Sequence, residues 1–354
     1  MNAYAPDSFS RSIVDVEKDL WEGYWHLFCH RSEVAAPHEY VRLQAFGDEV
    51  VAFNDGADVV VFDNRCPHRG ARVYDGDAGK QRWVCPYHGW SFVKGRFFVP
   101  ASETFTGCDP TKAELARYRT AWVGEFLFVS KRPTQPIETQ LEGVYDMLAA
   151  ISRGIGGRRD INAYPYRCNW KIAVENALDQ YHVSLVHHET LNRLKLKPAE
   201  DEYLGENNIS RAALGDEKMI KKLKLLGRLF ELDHKPDGYV AIQLFPFTFL
   251  TSTFGYSYSL QQFYPGANQD VTAFTSRFYA GKLSSKLPPD TMDSFFASSL
   301  SVNHDVFKED AEICARLPTD SWSPEPERYV CAGEAKIVEF RRVVRAHLEG
   351  RSAV

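Results

Sequence analysis

Four side chains of the kinds that bind iron or zinc fall within 23 residues: Cys66 and His68 in Cys66-Pro-His-Arg-Gly70, and Cys85 and His88 in Cys85-Pro-Tyr-His-Gly-Trp90. Each loop carries one thiol and one imidazole, with a glycine close behind. The four converge only if the two loops lie side by side, and the stretch 71–84 between them has the length of a strand and its return. A structural zinc site usually pairs two cysteines and then two histidines. Here each loop is mixed, which suits a binuclear iron–sulfur cluster with thiolates on one iron and imidazoles on the other. Imidazole ligation raises the reduction potential above that of an all-cysteine cluster. Zinc is the alternative.

The remaining cysteines, Cys29, Cys108, Cys168, Cys314 and Cys331, have no such neighbours and read as small buried hydrophobes. Seven widely spaced cysteines in a chain of this size do not make a disulfide framework.

A second candidate centre lies in Glu175-Asn-Ala-Leu-Asp-Gln-Tyr-His-Val-Ser-Leu-Val-His-His188. Asp179 and His182 are three apart and share a face if the segment is helical. His182 and His187 are five apart, which on a straight helix separates them by about 140°. Both can ligate one ion only if the helix bulges or ends, for which Leu185–Val186 is the expected place. Two histidines need a carboxylate to complete the facial triad of a non-haem Fe(II) oxygenase, which leaves positions open for dioxygen. Asp305, Glu309, Asp310 and Glu312, all in a late helical stretch, are the candidates.

The elements that must position these groups divide into two kinds. Residues 39–130 read as short strands and turns: Tyr40–Leu43, Glu49–Phe53 and Val59–Phe62, with turn signals at Gly47-Asp48 and Asn54-Asp-Gly56, and a last strand over Trp122–Val129. The polar, two-proline stretch Ser130–Pro136 is the expected domain boundary. Beyond it the pattern predicts helices near Thr139–Ile151, from Trp170 to about Val186, over Thr291–Leu317 and from Ala335. Long strands are expected over Tyr239–Phe254, Tyr256–Tyr264 and Val271–Tyr279. Consecutive strands without intervening helices indicate an antiparallel sheet, hence an α+β fold. Phe245, Phe247, Phe249, Phe254 and Tyr256 are expected to line an apolar pocket, suited to an aromatic ring or, through cation–π contact, to an alkylammonium group. Glu217–Glu231 reads as a basic amphipathic helix: a lid, a docking face for an acidic ferredoxin, or simply a solvated surface.

The 354 residues allow two domains, and 44% hydrophobic with 25% charged residues is a soluble globular composition. The net charge of −5 gives no reason to expect nucleic acid or an anionic membrane as partner. No apolar run approaches the roughly 18–20 residues that cross a bilayer. The N-terminus has no secretory pattern, so a cytoplasmic location is expected. Gly154-Ile-Gly-Gly157 followed by Arg158-Arg159 does not make a dinucleotide-binding fingerprint.

Together these residues resemble the catalytic α subunit of the Rieske non-haem iron oxygenases, over nearly the whole chain. The cluster motif C-x-H then C-x-x-H matches Cys66, His68, Cys85 and His88, and the iron motif D-x-x-H-x-x-x-x-H matches Asp179, His182 and His187, choosing His187 over His188. A C-terminal E-D-x-x-I-C motif matches Glu309–Cys314 and selects Asp310 as third ligand. The resemblance implies an all-β Rieske [2Fe–2S] domain over residues 36–135 and a catalytic mononuclear-iron domain over 136–354, with 1–35 a helical segment packed on the latter. It also implies a head-to-tail homotrimer in which Asp179 bridges the cluster histidine of one subunit to His182 of its neighbour. Electrons would come from NAD(P)H through a separate ferredoxin or flavin-dependent reductase. Dioxygen would be the co-substrate for hydroxylation, dihydroxylation or oxidative dealkylation of a small aromatic or apolar compound. Phe247 stands where relatives often have asparagine, and the Asn176–Asp179 spacing resembles the choline- and carnitine-oxidising branch, which commonly has glutamate in place of Asp179. A quaternary-amine monooxygenase, a Rieske electron carrier without oxygenase activity and a zinc-stabilised binding module are the alternative readings.

Overall fold

The computed structural model describes residues 12–45, 48–288, 290–323 and 329–350. Residues 1–11 of the expected N-terminal segment, Gly47 of the expected turn and residues 351–354 lie outside them. Helix α1 (Ile13–Gly23) is capped by the Ser12 hydroxyl, which accepts from Asp15 N–H. Strand β1 (His26–His30) follows. Strands β2 (Glu39–Ala45), β3 (Asp48–Asn54), β4 (Val59–Asp63) and β5 (Ala78–Lys80) form a sheet in the order β4-β3-β2-β5. The hairpin β6 (Ser91–Val93) and β7 (Arg96–Phe98) turns on Lys94 and Gly95, both at positive φ, as a tight two-residue connection requires. Strands β8 (Arg119–Val123) and β9 (Phe126–Ser130) then pair with β1 in the order β1-β9-β8. Tyr40, Phe53, Phe62, Trp83, Trp90 and Phe97 build the aromatic core under the two cysteine loops.

Helices α2 (Ile137–Gln140) and α3 (Tyr145–Arg153) lead into β10 (Ile155–Tyr166), then α4 (Trp170–Leu178) and α5 (Val183–Val186). Strands β11 (Glu200–Leu204) and β12 (Asn207–Ala212), helix α6 (Glu217–Leu226), strands β13 (Tyr239–Leu244), β14 (Thr248–Thr253), β15 (Ser257–Pro265) and β16 (Thr272–Gly281), and helices α7 (Asp293–Cys314) and α8 (Ala335–Leu348) complete the chain. The seven strands form one antiparallel sheet, β10-β16-β15-β14-β13-β12-β11. Successive strand side chains alternate between faces. One face presents Ile209, Val240, Ile242, Leu250 and Leu260, fully buried against α3 and the β8–β9 hairpin. The other face carries α4, α7 and α8. Among the described residues, no helix is long and apolar enough to cross a membrane.

Several elements differ from expectation, each for a local reason. The strand expected over Trp122–Val129 is a hairpin, because Gly124 takes φ +58° and reverses the chain. The expected strand Tyr239–Phe254 is two strands joined at Phe245-Pro-Phe247, with a cis Phe245–Pro246 bond. Within 71–84 only Ala78–Lys80 is a strand. Strand β10 was not expected, since Gly156, Gly157, Arg158, Arg159 and Pro165 carry no strand pattern; its pairing with β16 makes it a strand. The edge strand β11, Glu-Asp-Glu-Tyr-Leu, lacks apolar alternation for the reason that edge strands carry charge. Cys29, Cys168 and Cys314 are buried as expected, but Cys108 and Cys331 are exposed. Phe245, Phe247 and Phe249 belong to the main core and Phe254 and Tyr256 to a second one, so this aromatic run is packing and not a pocket lining.

Buried charge from α1 anchors α4, the helix that leads into the Asp179–His187 segment. Asn169 caps α4 by accepting from Lys171 N–H, and the Lys171 ammonium donates to Glu17 of α1 at 2.5 Å, as does Trp170 Nε1 at 3.0 Å. Glu17 and Lys171 are both nearly inaccessible. Removing one partner of such a pair strands the other charge. Lys171→Ala is therefore expected to lose about 3–5 kcal/mol of stability, and the double variant Glu17→Leu/Lys171→Met to recover most of it, read from denaturant midpoints.

Candidate metal centres

The two cysteine loops are built alike. Gly70 N–H donates to Cys66 C=O at 2.8 Å and Cys66 N–H to Ala71 C=O at 2.8 Å; Gly89 N–H donates to Cys85 C=O at 3.0 Å and Cys85 N–H to Trp90 C=O at 2.8 Å. Both turns close on a glycine at φ of about +70°, a left-handed conformation that a Cβ would strain. The loops bring both thiols into hydrogen-bonding reach of each other, and the His68 and His88 rings to 4.7 Å between centroids. Both sulfurs are buried, whereas His88 is exposed and His68 half-buried against the Trp90 face, 5.0 Å away and parallel to it. Burial pushes the Cys66 thiol up, while the backbone N–H groups of His68 and Arg69 point at its sulfur and favour the thiolate. His68 Nδ1 is buried without a partner among the described residues. A donor set with thiols inside, imidazoles outside and one ring nitrogen left unsatisfied fits a two-iron cluster whose imidazole-bearing iron faces the surface.

The second centre depends on a break in a helix. The expected helix over Trp170–Val186 stops at Leu178, resumes as the single turn Val183–Val186 and ends at Val186, the expected place, with His182 and His187 as its two caps; the earlier break at Asp179–His182 was not expected. Asp179 takes an extended conformation (φ −73°, ψ 129°) and makes the turn with its own side chain: Oδ1 accepts from Tyr181 N–H at 2.6 Å. Oδ2 of the same carboxylate meets His182 Nδ1 at 3.0 Å. Asp179 and His182 do face each other, but across a turn. With the chain so redirected, His182 Nε2 and His187 Nε2 lie 3.2 Å apart, and Asp310 Oδ1 lies 3.5 and 3.0 Å from them respectively. A divalent first-row ion held at roughly 2.1 Å by three ligands at right angles separates those ligands by roughly 3.0 Å. The triangle has that size. His188, by contrast, is exposed and faces Glu189. Of the other carboxylate candidates, Asp305 and Glu312 make no contact with either histidine in the described structure.

Two residues that the motif reading did not assign a role complete the arrangement. Glu309 Oε2 lies 2.7 Å from His187 Nδ1 and also accepts from the Thr190 hydroxyl at 2.7 Å. Asn176 Nδ2 donates to Asp310 Oδ1 at 2.7 Å. Each imidazole thus has a carboxylate on Nδ1, Asp179 for His182 and Glu309 for His187, leaving both Nε2 atoms for an ion. Carboxylate-backed imidazoles are the usual support of metal-ligating histidines, and that rule was the available sequence signal for Glu309. Burial opposes protonation of His182, yet its bonds to Asp179 and Asp310 outweigh burial and raise its pKa to about 9. Asp310 is held below the usual carboxylate range, its own burial being overcome by the two histidines. Helix α4 is in turn fixed to α8 by the two-pronged pair of Arg341 with Glu175, at 2.7 and 2.8 Å.

Removing the Nδ1 partner leaves His187 free to turn and less basic. Glu309→Ala is expected to lower ferrous-ion affinity about 10–100-fold, read as iron retained against a graded chelator, with the cluster's visible spectrum unchanged.

Residues 24–101 match the family described as Rieske [2Fe-2S] domain, and residues 156–350, more than half of the chain, match the ring hydroxylating alpha subunit (catalytic domain). The chain is 30% identical over 208 residues to a toluate 1,2-dioxygenase subunit alpha from Pseudomonas putida, covering 54% of this chain and 46% of that one. It is 31% identical over 180 residues to a carnitine monooxygenase oxygenase subunit from Escherichia coli K12, covering 48% of each. It spans about half the length of the curated relatives it matches. A solved quaternary ammonium Rieske monooxygenase superposes with a TM-score of 0.73 over 97% of this chain and 93% of the other, at 18% identity, a likeness of fold. The mixed cysteine–histidine loops are accordingly those of a Rieske [2Fe–2S] domain and not of a zinc site, and the chain belongs to the ring-hydroxylating alpha subunit family.

Proposed function

We propose that this chain is a terminal oxygenase component, with the [2Fe–2S] cluster on Cys66, His68, Cys85 and His88 and a ferrous ion on His182, His187 and Asp310. The observation that carries the reading is the triangle of two Nε2 atoms and one carboxylate oxygen, each with its own supporting hydrogen bond. An electron carrier with a cluster alone would have no use for it. When bound, the two groups supply one-electron delivery and dioxygen activation, and two electrons with two protons balance the insertion of oxygen into a small organic substrate. The protein's own part is to aim both histidines' Nε2 atoms at one point, to keep the carboxylate of Asp310 ionised, and to leave the remaining coordination positions open. The electrons come from a separate ferredoxin or flavin-dependent reductase fed by NAD(P)H.

The same reading gives Asp179 a role across subunits. Its side chain is partly accessible and lies beside exposed Tyr181, and exposed Tyr87 stacks on His88 at the imidazole end of the cluster. Two different exposed surfaces on one chain, each bearing a tyrosine beside its centre, suit a head-to-tail contact, which closes without a free end as a ring of three. The mixed identity of the relatives, a toluate dioxygenase and a carnitine monooxygenase at nearly equal similarity, keeps ring oxidation and quaternary-amine monooxygenation both in view.

His187→Ala is expected to lose the mononuclear iron and product formation while keeping the cluster spectrum; simultaneous loss of both would count against separate sites. Co-expressed chains carrying Cys66→Ala and His187→Ala are expected to regain part of the activity that neither has alone, because an intact cluster and an intact iron then meet across the interface. No recovery, or a monomer by analytical ultracentrifugation, would refute transfer between subunits. Asp179→Asn is expected to reduce its cluster normally yet slow product formation by at least about tenfold.

A further inference from the structure

The large sheet is asymmetric in a way that bears on the substrate. On β13, β14 and β15 burial alternates: Val240, Leu250 and Leu260 are inaccessible, whereas Tyr239, Ala241, Thr251 and Gln261 are half-exposed. These strands lie in the middle of seven, so accessibility there means open space between the sheet and the helices above it. The register identifies the space. Ala241 pairs with Ser210 and with Thr251, and Thr251 pairs with Ser259, so these residues share a face. Ser210 Oγ accepts from Gln180 Nε2 at 3.2 Å, which sets this face under the Asp179–His182 turn. Gln180 stands between Asp179 and His182 in the chain, so the open strip borders the turn that carries the candidate ligand His182.

The strip is polar and uncharged. The Tyr239 hydroxyl lies beside that of Thr251, and the Gln261 amide donates to Thr251 Oγ1 at 3.4 Å and Ser259 Oγ at 3.5 Å, both at the long limit of a hydrogen bond. The Gln261 carbonyl oxygen accepts from no described residue. None of the half-exposed positions Tyr239, Ala241, Thr251 and Gln261 is charged. The ammonium of Lys336 reaches the same face at Ser210 but is engaged by Asp201 at 3.5 Å. A bare hydrocarbon would strip water from these hydroxyls and this amide without replacing it, and a carboxylate would arrive without a counter-cation. A quaternary ammonium group would find only two half-exposed aromatic rings, Tyr164 and Tyr239, on this strip.

Resting on the oxygenase reading above, we infer that the substrate is an uncharged molecule bearing a carbonyl, hydroxyl or amide group, which Thr251 and Gln261 hydrogen-bond so as to orient its reacting carbon toward the iron. A site built to hydrogen-bond a polar group discriminates strongly against the analogue that lacks it. The probes are four compounds on one phenyl skeleton: toluene, benzamide, benzoate and benzyltrimethylammonium, titrated by calorimetry into the iron-loaded protein. Benzamide is expected to bind at least about tenfold more tightly than the other three. Gln261→Leu and Thr251→Val are each expected to shift the benzamide-to-toluene ratio at least about fivefold toward toluene, with melting temperature and iron content checked. Tighter binding of any of the other three, no binding by all four, or an unchanged ratio in both variants would overturn the inference. Dioxygen uptake separates the two readings. Benzamide binding without reductant-dependent dioxygen uptake sinks the oxygenase assignment, whereas coupled oxidation of toluene with no preference for benzamide sinks this one.

Discussion

Two imidazoles five residues apart in sequence must bring their Nε2 atoms to 3.2 Å, and a continuous helix forbids it. The single turn Val183–Val186 resolves the conflict by ending between them, with His182 and His187 at its caps, while the Asp179 carboxylate sets the entry: one oxygen accepts from Tyr181 N–H in a turn, the other orients His182. Most of what surrounds the site serves to hold that turn in place. Helix α4 before it is tied to α1 through Glu17 and Lys171 and to α8 through Glu175 and Arg341. Asp310 and Glu309, consecutive on α7, meet His187 at opposite ring nitrogens.

The two candidate centres use opposite strategies of exposure. At the cluster loops, the sulfurs are buried in an aromatic core and the imidazoles sit outside, so the redox end is presented to whatever docks there. At the second centre His187 is inaccessible, whereas Asp179, His182 and Asp310 are each partly open. A carboxylate open on one side and hydrogen-bonded to an imidazole on the other can accept a second imidazole from a neighbouring surface. That arrangement makes the single chain an incomplete unit in the function proposed for it.

The sheet separates stability from recognition by its two faces. The face toward α3 and the β8–β9 hairpin is uniformly apolar and buried, and holds the domains' strands in register. The face beneath the iron helices carries hydroxyls and amides in its accessible centre. The aromatic residues that looked like a pocket lining in sequence, Phe245, Phe247 and Phe249, instead pack against α1, α4 and α8, as in the contacts of Phe247 with Trp170 and of Phe245 with Phe340.

The convergence of Cys66, His68, Cys85 and His88 was legible in the sequence because they sit on short loops whose spacing alone limits their geometry. Helices α7 and α8 were legible from periodicity, and the antiparallel sheet from consecutive apolar runs. The need for a helix end between His182 and His187, and its place at Val186, followed from arithmetic on 3.6 residues per turn; the earlier break at Asp179–His182 did not, since Asp179 ends α4 through contacts that spacing does not encode. Strand β10 was hidden because its glycines, arginines and proline carry no strand pattern; its partner β16, more than 100 residues later, imposes the extended conformation. Glu309, Asn176 and the polar strip at Thr251 and Gln261 became visible only when α7 and the sheet closed over α4. Ligand type and local spacing belong to short stretches of chain and can be read there. Which carboxylate backs which imidazole, and which face of a sheet stays open, depends on packing between segments far apart in sequence, and only the folded chain decides it.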